Sequence, residues 1–308
     1  MKVVYTGKLK IDAGKHKIFI PRANRLELVA LKRFRRLITK EPDTTQWIEN
    51  VAEISNKNKQ KSVFFDIGSN VGTVSYLFCL KSEITPHLIL CETNPSNLGL
   101  SFNIIKANFK TITASFLCGF LKSEQTIEAI PTQFMGEAGK TIGAIAEREN
   151  KKTPQIVYST PISHEVISQI LSVNQNSLKF LKIDVDGAEL SVVQGLDKKI
   201  LSQFSNALIE TDIDNKSELE QILLTFAECN LHPTAISQYF IDYFSGKKRK
   251  LLCNNLSLAD QKIYNHQMKR LEAYEKRKKS HPEVKLQMTM NVIFEKKYIE
   301  PTNDQLPN

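Results

Sequence analysis

Residues 64–73 read Phe64-Phe65-Asp66-Ile67-Gly68-Ser69-Asn70-Val71-Gly72-Thr73. An apolar run ends in a carboxylate. Gly68 follows two residues later, Gly72 four residues after that, and then comes a helical pattern with apolar residues at 71, 74, 77, 78 and 80. Glycines let the chain turn tightly and let a ligand come close to the main chain. The helix behind them presents its N-terminal N–H groups. The segment is not the G-x-G-x-x-G dinucleotide fingerprint, because Asp66 stands where the first glycine would be. That carboxylate would repel a pyrophosphate, but not a sulfonium ligand carrying a methionine amino group. Taken alone, the segment also fits a strand-to-helix turn with capping residues.

The neighbouring runs sharpen that reading. Leu88-Ile89-Leu90-Cys91-Glu92 ends in a carboxylate in the same way, 26 residues after Asp66. An acid at the tip of the second strand of a nucleotide-binding sheet can accept hydrogen bonds from both ribose hydroxyls. Thr111 to Phe120 is a third run, Phe180-Leu181-Lys182-Ile183-Asp184 a fourth and Ala207-Leu208-Ile209-Glu210 a fifth. Near-continuous apolar runs of this length fit strands buried on both faces of a parallel sheet. Helical patterns fill the gaps: Val71 to Lys81, a start signal at Asn94-Pro95-Ser96-Asn97, Ala188 to Ile200, and Ser217 to Asn230. Strand and helix in alternation predict right-handed crossovers in a doubly wound α/β sheet.

After the fourth run come Asp184, Asp186 and Glu189. Acids at the C-terminal edge of a parallel sheet face the crevice where ligands bind. Three so close can raise one another's pKa, orient a hydroxyl or hold a hard divalent ion. Glu189 also has a plainer role at a helix N-terminus.

The whole chain sets the frame. Its 308 residues are 41% hydrophobic and 24% charged, which excludes collagen-like, disordered and disulfide-scaffold classes. No apolar run reaches the ~18–20 residues needed to span a bilayer. The N-terminus lacks the apolar core of a secretory signal. A cytoplasmic location is the expectation. Cysteines 79, 91, 118, 229 and 253 form no C-x-x-C pair and read as buried free thiols. The net charge of +9 divides into +8 over residues 1–60, −5 over 61–240 and +7 over 241–300, with Asp304 completing the sum. This predicts a basic N-terminal extension over 1–60, packed on the core. A core follows over 61–240, then a charged helical insertion over 241–290, and a last strand and tail over 291–308. Residues 24–40 read as a basic amphipathic helix, and KKRK at 247–250 and KRKK at 276–279 mark the second basic region. Solvated faces, an anionic partner and a membrane surface all remain open for them.

FFDIGSNVG, CETNPSN and FLKIDVDGAELSVVQG, in this order and spacing, resemble the FkbM-type methyltransferases, a branch of the class I S-adenosylmethionine-dependent enzymes. The resemblance covers about residues 60–215. It departs at Thr93, where Pro is usual, and at Asp186, where Glu is usual. It implies a Rossmann-like, doubly wound, seven-stranded sheet with one antiparallel strand, for which 291–298 is the candidate last strand. It implies S-adenosylmethionine as cofactor. Asp66, Gly68 and Gly72 would line its methionine end, and Ser69, Asn70 and Val71 would form its loop. Glu92 would take the ribose, with Thr93 and Asn97 nearby, and Cys118 and Gly119 would lie near the adenine. Asp184 and Asp186 would face the transferred methyl, Asp184 as base, with His164 and His232 as alternatives. A magnesium ion at Asp184 and Asp186 is a minor alternative, and no metal ligands are assigned. The acceptor implied is a small molecule or glycan hydroxyl, anionic if the basic ends serve it. RNA or protein is the second option. No base-methylation motif supports it, since Asn94-Pro95 is followed by Ser96-Asn97. A non-catalytic binding protein on the same scaffold is the third.

Overall fold

The apolar run before Asp66 forms an interior strand of a seven-stranded sheet. A computed structural model describes residues 3–5, 8–13, 16–21, 25–121, 128–132, 155–159, 161–247, 256–281 and 288–296. In chain order, strands β1 (Val3–Tyr5), β2 (Lys8–Ala13) and β3 (His16–Pro21) form a small antiparallel sheet. Helices α1 (Arg25–Lys40) and α2 (Pro42–Lys57) follow. Then come β4 (Ser62–Ile67), α3 (Thr73–Lys81), β5 (His87–Glu92), α4 (Pro95–Asn108) and β6 (Thr113–Cys118). The pair β7 (Glu128–Thr132) and β8 (Gln155–Ser159) precedes α5 (His164–Ser172), β9 (Leu178–Ile183), α6 (Glu189–Leu201) and β10 (Asn206–Asp212). The chain continues through α7 (Lys216–Glu228), β11 (Leu231–Pro233), α8 (Ala235–Phe244), α9 (Leu258–Ser280) and β12 (Thr289–Lys296).

The large sheet runs β11-β12-β10-β9-β4-β5-β6. The ladders joining β10, β9, β4, β5 and β6 are parallel, and β12 is antiparallel to both of its neighbours. This is the seven-stranded, mostly parallel sheet with one reversed strand that the family resemblance implies. The reversed strand is β12, two residues earlier than the expected 291–298, with residues 297 and 298 outside those described. All six residues of β4 are buried, as its central position requires.

Side chains on one face of β4, β9 and β10 meet the N-terminal helices. Trp47 of α2 packs on Phe64 with ring centroids 5.8 Å apart, Phe64 stacks on Phe78 of α3 at 4.5 Å, and Phe78 meets Phe180 edge-on at 5.9 Å. The Trp47 indole N–H donates to Asn206 Oδ1 at 2.5 Å. Phe34 of α1 stacks on Tyr76 at 5.5 Å. On the other face Phe65 stacks on Phe204 at 6.1 Å. Aromatic pairs in these geometries contribute about 0.5–1.5 kcal/mol each beyond area burial. The long helix α9 runs beside β12: Gln267 Nε2 donates to Asn291 O at 3.2 Å, and Asn291 Nδ2 donates to Asp43 Oδ2 of α2 at 2.8 Å. Residues from both basic flanks therefore reach the central sheet.

Three features differ from the sequence reading. The first 21 residues contain strands, although only a helix is expected in that extension; the alternation Lys8-Leu9-Lys10-Ile11-Asp12 carries the period-two signal. Helix α2 is a second helix in the extension where only one is expected; its Pro42 stands at the start, where no N–H donor is needed. The hairpin β7–β8 lies between the third and fourth apolar runs, where no element is expected from the sequence. Lys248, Arg249, Lys250 and Cys253 lie outside the described residues.

Candidate active site

Asp66 is the next-to-last residue of β4, and its carboxylate is fully buried. Ser75 Oγ donates to its Oδ2 at 2.7 Å, and Lys182 Nζ lies 3.1 Å from its Oδ1. Asp66 pairs with Lys182 across the β4–β9 ladder, so both side chains leave the same face. The Lys182 ammonium, only 4% exposed, also lies 3.4 Å from Asp184 Oδ2 and donates to the Gly68 carbonyl at 2.9 Å. Burial alone would drive its pKa down, but the charges of Asp66 and Asp184 outweigh burial and raise it. Lys182 is thus a charged pin between a buried acid and an acid 37% exposed at the edge.

The chain beyond Asp66 needs its glycines. Gly68 has φ +70°, and a Cβ there would fall 1.9 Å from the Asp184 carbonyl oxygen. Gly72 has φ +71° and would meet Ser101 Oγ at 3.0 Å. Between them Asn70 is also left-handed, at φ +50°, a conformation that asparagine tolerates better than most residues. The Gly68 and Ser69 N–H groups both donate to Cys91 O at 3.0 Å, and Asp184 N–H donates to Ile67 O at 3.1 Å. The loops after β4, β5 and β9 are so joined at one edge.

Glu92 clamps two of these loops. Its Oε2 accepts from Asn70 N–H at 2.7 Å and its Oε1 from Asn94 N–H at 2.8 Å, with Thr93 Oγ1 at 3.4 Å. Burial raises its pKa, and these hydrogen bonds oppose the rise. Asn94 caps α4 through Ser96 N–H. Gly119 N–H donates to Glu92 O at 3.1 Å. Cys118, expected to be a buried thiol, is exposed because it ends the edge strand β6, with its Sγ 4.0 Å from Thr93 O; Cys79, Cys91 and Cys229 are buried. Val71 is buried, and its N–H donates to Asn70 Oδ1 at 2.9 Å. Two buried oxygens beside this loop, Ser69 Oγ and Asn97 Oδ1, have no hydrogen-bond partner. Buried polar atoms are normally paired. The tight glycine backbone and these two orphaned oxygens fit a polar cofactor lying over residues 68–72 and 92–97.

Across the edge, Asp186 has φ +52° and is exposed. It is nonetheless crowded: desolvation and then the Asp184 charge raise its pKa to about 6, with Arg33, Lys182 and Arg36 pulling the other way. Glu189 turns back, and both its oxygens accept from Gly187 N–H, at 2.9 and 3.0 Å. It stands in the first turn of α6, where a carboxylate complements the helix dipole, as in the plainer reading. Glu210, near the end of β10, accepts from Thr289 Oγ1 at 2.9 Å. Its pKa is raised to about 7 by burial and then by the Asp184 charge.

The expected site residues thus gather at the C-terminal ends of β4, β5, β6 and β9. Asp66 differs from expectation in one respect: its carboxylate is enclosed by Ser75 and Lys182 rather than turned to an open loop. The two alternative histidines stand elsewhere. His164 opens α5 and contacts Gly195 O and Asp197 of α6, while His232 is on β11, paired with Glu295. Among the described residues, no group of three or more His, Cys, Asp or Glu is placed to hold a metal ion. Sequence reasoning missed Lys182, Glu210, Arg33, Arg36 and Arg270. Two of these had a signal. Lys182 is a charge inside a two-sided apolar strand, and Glu210 ends its run as Asp66, Glu92 and Asp184 do.

A parallel sheet with β12 reversed and acids at its strand ends defines the class I methyltransferase type of fold. The model for the methyltransferase FkbM domain matches residues 66–232, over half of the chain, and the protein belongs to that family. Solved structures similar to it include an O-methyltransferase from Bacillus cereus in complex with SAH, at 11% identity and TM-score 0.34, covering 70% of this chain and 84% of that one. Another is Trm1 from Pyrococcus horikoshii with S-adenosyl-L-methionine, at 12% identity and TM-score 0.36, covering 73% and 56%. A third is the plantazolicin methyltransferase BpumL with SAH, at 10% identity and TM-score 0.35, covering 88% and 90%. No curated protein matches the sequence.

Proposed function

We propose that the protein transfers a methyl group from S-adenosylmethionine to a hydroxyl of a carbohydrate or related small molecule. The observation that carries this reading is the shared edge. The glycine loop 68–72, the Glu92 clamp and the orphaned oxygens of Ser69 and Asn97 stand beside the acidic end of β9. The bound sulfonium supplies an already activated methyl, so positioning dominates and a modest base suffices. Glu92, with Thr93 and Asn97, would hold the ribose, and Cys118 and Gly119 would border the adenine. Asn70 and Val71 would set the height of the loop. Asp66 would act from below, fixing Lys182, whose hydrogen bond to the Gly68 carbonyl shapes the loop. Asp184 and Asp186 would face the methyl and favour its positive charge.

Arg33 and Arg36 of α1 and Arg270 of α9 bring the two basic flanks to this edge. That placement supports an acceptor held by the flanking segments, with anionic groups on it as a natural match. Calorimetry with S-adenosylhomocysteine tests the cofactor half: the wild-type protein should bind, and Glu92→Ala should weaken binding. No binding by the wild type sinks the reading. Methyl transfer to a panel of methyl glycosides tests the acceptor half. Turnover of RNA oligonucleotides but no glycoside would reverse that choice.

A further inference from the structure

Glu210 shares an edge with Asp184. Strands β9 and β10 run parallel in a register from Phe180 beside Asn206 to Ile183 beside Ile209. One step further sets Asp184 beside Glu210. Side chains alternate along a strand, so Asp66, Lys182, Asp184 and Glu210 all leave the face that α2 covers. Four groups bear on the Glu210 carboxylate: Asp184 from β9, Thr289 from β12, Arg270 from α9 and Glu41 from the joint between α1 and α2. Thr289 Oγ1 donates to Glu210 Oε1 at 2.9 Å. Arg270 Nη2 in turn donates to Thr289 O at 2.6 Å and reaches Thr289 Oγ1 at 3.3 Å. The guanidinium thereby orients the hydroxyl, and the hydroxyl orients the carboxylate.

Asp184 stands differently. Its Oδ2 is in an ion pair with Lys182, and a proton placed there would break that pair. We infer that Glu210, oriented by Thr289 and Arg270, takes the proton of the acceptor hydroxyl, while Asp184 holds Lys182 at the edge. The inference rests on the methyl-transfer reading above. In the step, a lone pair of the hydroxyl oxygen forms the new O–C bond to the methyl carbon. The C–S bond breaks and its electron pair stays on sulfur. The O–H proton goes to Glu210, giving an ether, a neutral thioether and a neutral carboxylic acid. Burial and the Asp184 charge poise Glu210 near neutrality, where a general base is most effective.

The first measurement is a pH-dependent infrared difference spectrum of the full chain, which needs no acceptor. A carboxyl should titrate near neutrality in the wild type and vanish in Glu210→Gln. It should move upward in Thr289→Val, because the lost hydrogen bond had favoured the charged form. Asp186→Asn should leave this band in place. A Glu210 carboxyl that stays ionised down to pH 5 overturns the inference whatever the acceptor proves to be.

Rates on methyl glycosides supply the second readout. Glu210→Gln should lower turnover by about 100-fold or more, with S-adenosylhomocysteine affinity unchanged, and should remove the neutral limb of the pH profile. A wild-type profile in Glu210→Gln, or loss of the limb in Asp184→Asn alone, overturns it. If S-adenosylhomocysteine fails to bind the wild type, the cofactor reading falls, and the infrared titration still reports on Glu210 by itself.

Discussion

At the ends of β4 and β5 the site is made of backbone; at the ends of β9 and β10 it is made of charged side chains. The first half turns through Gly68, Asn70 and Gly72 at positive φ and is closed by Glu92 accepting two main-chain N–H groups. The second half holds Lys182, Asp184, Asp186 and Glu210, with Arg33, Arg36 and Arg270 brought in from the two flanks. A backbone cradle suits a ligand whose shape is constant. A ring of opposed charges suits proton movement. The halves are joined by Lys182, which donates to the Gly68 carbonyl of one and pairs with Asp184 of the other.

Cutting that joint should have the largest effect. Lys182→Met leaves Asp66 buried without its counter-ion, and a lone buried charge typically costs 3–5 kcal/mol. Urea denaturation should show a loss of about that size. The double change Asp66→Asn with Lys182→Met should recover much of it, because a pair removed together leaves no stranded charge. A Lys182→Met protein as stable as the wild type would mean that the two halves are not electrostatically coupled.

Next in size is the backbone half alone. Gly68→Ala places a Cβ 1.9 Å from the Asp184 carbonyl in a left-handed residue. Strain of the left-handed backbone alone is of order 1–3 kcal/mol, and relief of the clash must part the β4 loop from β9. Stability should fall by at least that much, and S-adenosylhomocysteine binding should be lost. Gly99→Ala is the control: it lies in α4 with nothing within 4 Å of the added carbon. A helix interior favours alanine by up to about 1 kcal/mol, so this variant should be neutral or slightly stabilised. Equal effects at the two positions would remove the special status of the loop.

A smaller change separates clamp from charge. Glu92→Gln keeps the size of the side chain but loses the charge that two N–H donors share. Hydrogen bonds to charged groups contribute about 1.5–3 kcal/mol, and glutamine retains one acceptor oxygen. Stability should fall by part of that amount, and S-adenosylhomocysteine affinity should drop by roughly tenfold, about 1.4 kcal/mol. If stability falls and affinity does not, Glu92 serves the fold and not the ligand.

The same division explains what was legible in the sequence. The backbone half is local: Asp66 to Gly72 and Glu92 to Asn97 are contiguous runs, each following its own strand, so residue type and spacing reveal them. The charged half is assembled across the chain. Arg270 and Thr289 reach Glu210 only because α9 and the reversed strand β12 return beside β10. No spacing rule links residue 33 to 186 or 270 to 210. Asp184 and Asp186 could be found because their run is short and acidic, but the lysine that holds Asp184 was read as one more strand residue. Helix α2, which carries Trp47 against Phe64, is likewise tied to the sheet by contacts far apart in the chain.

The smallest effect tests the charged half without touching its fold. Glu210 has its folded pKa raised above the ordinary 4.5, to about 7. The folded state therefore binds more protons than the unfolded state between those values. Stability held at low pH is then lost as pH rises through this window. Glu210→Gln mimics the protonated form at every pH and removes that loss. Relative to the wild type, the variant should be equal near pH 4.5 and more stable at pH 8. The gain should be on the order of 1 kcal/mol once solvent screening at the edge is allowed for. Asp186 adds a similar loss, but its window closes near pH 6, so the interval from 6 to 8 reports on Glu210. Urea melts at pH 5, 6.5 and 8 supply the comparison. A difference between variant and wild type that does not grow across those three would show that Glu210 is ionised throughout, and the charged half would then lose its proton acceptor.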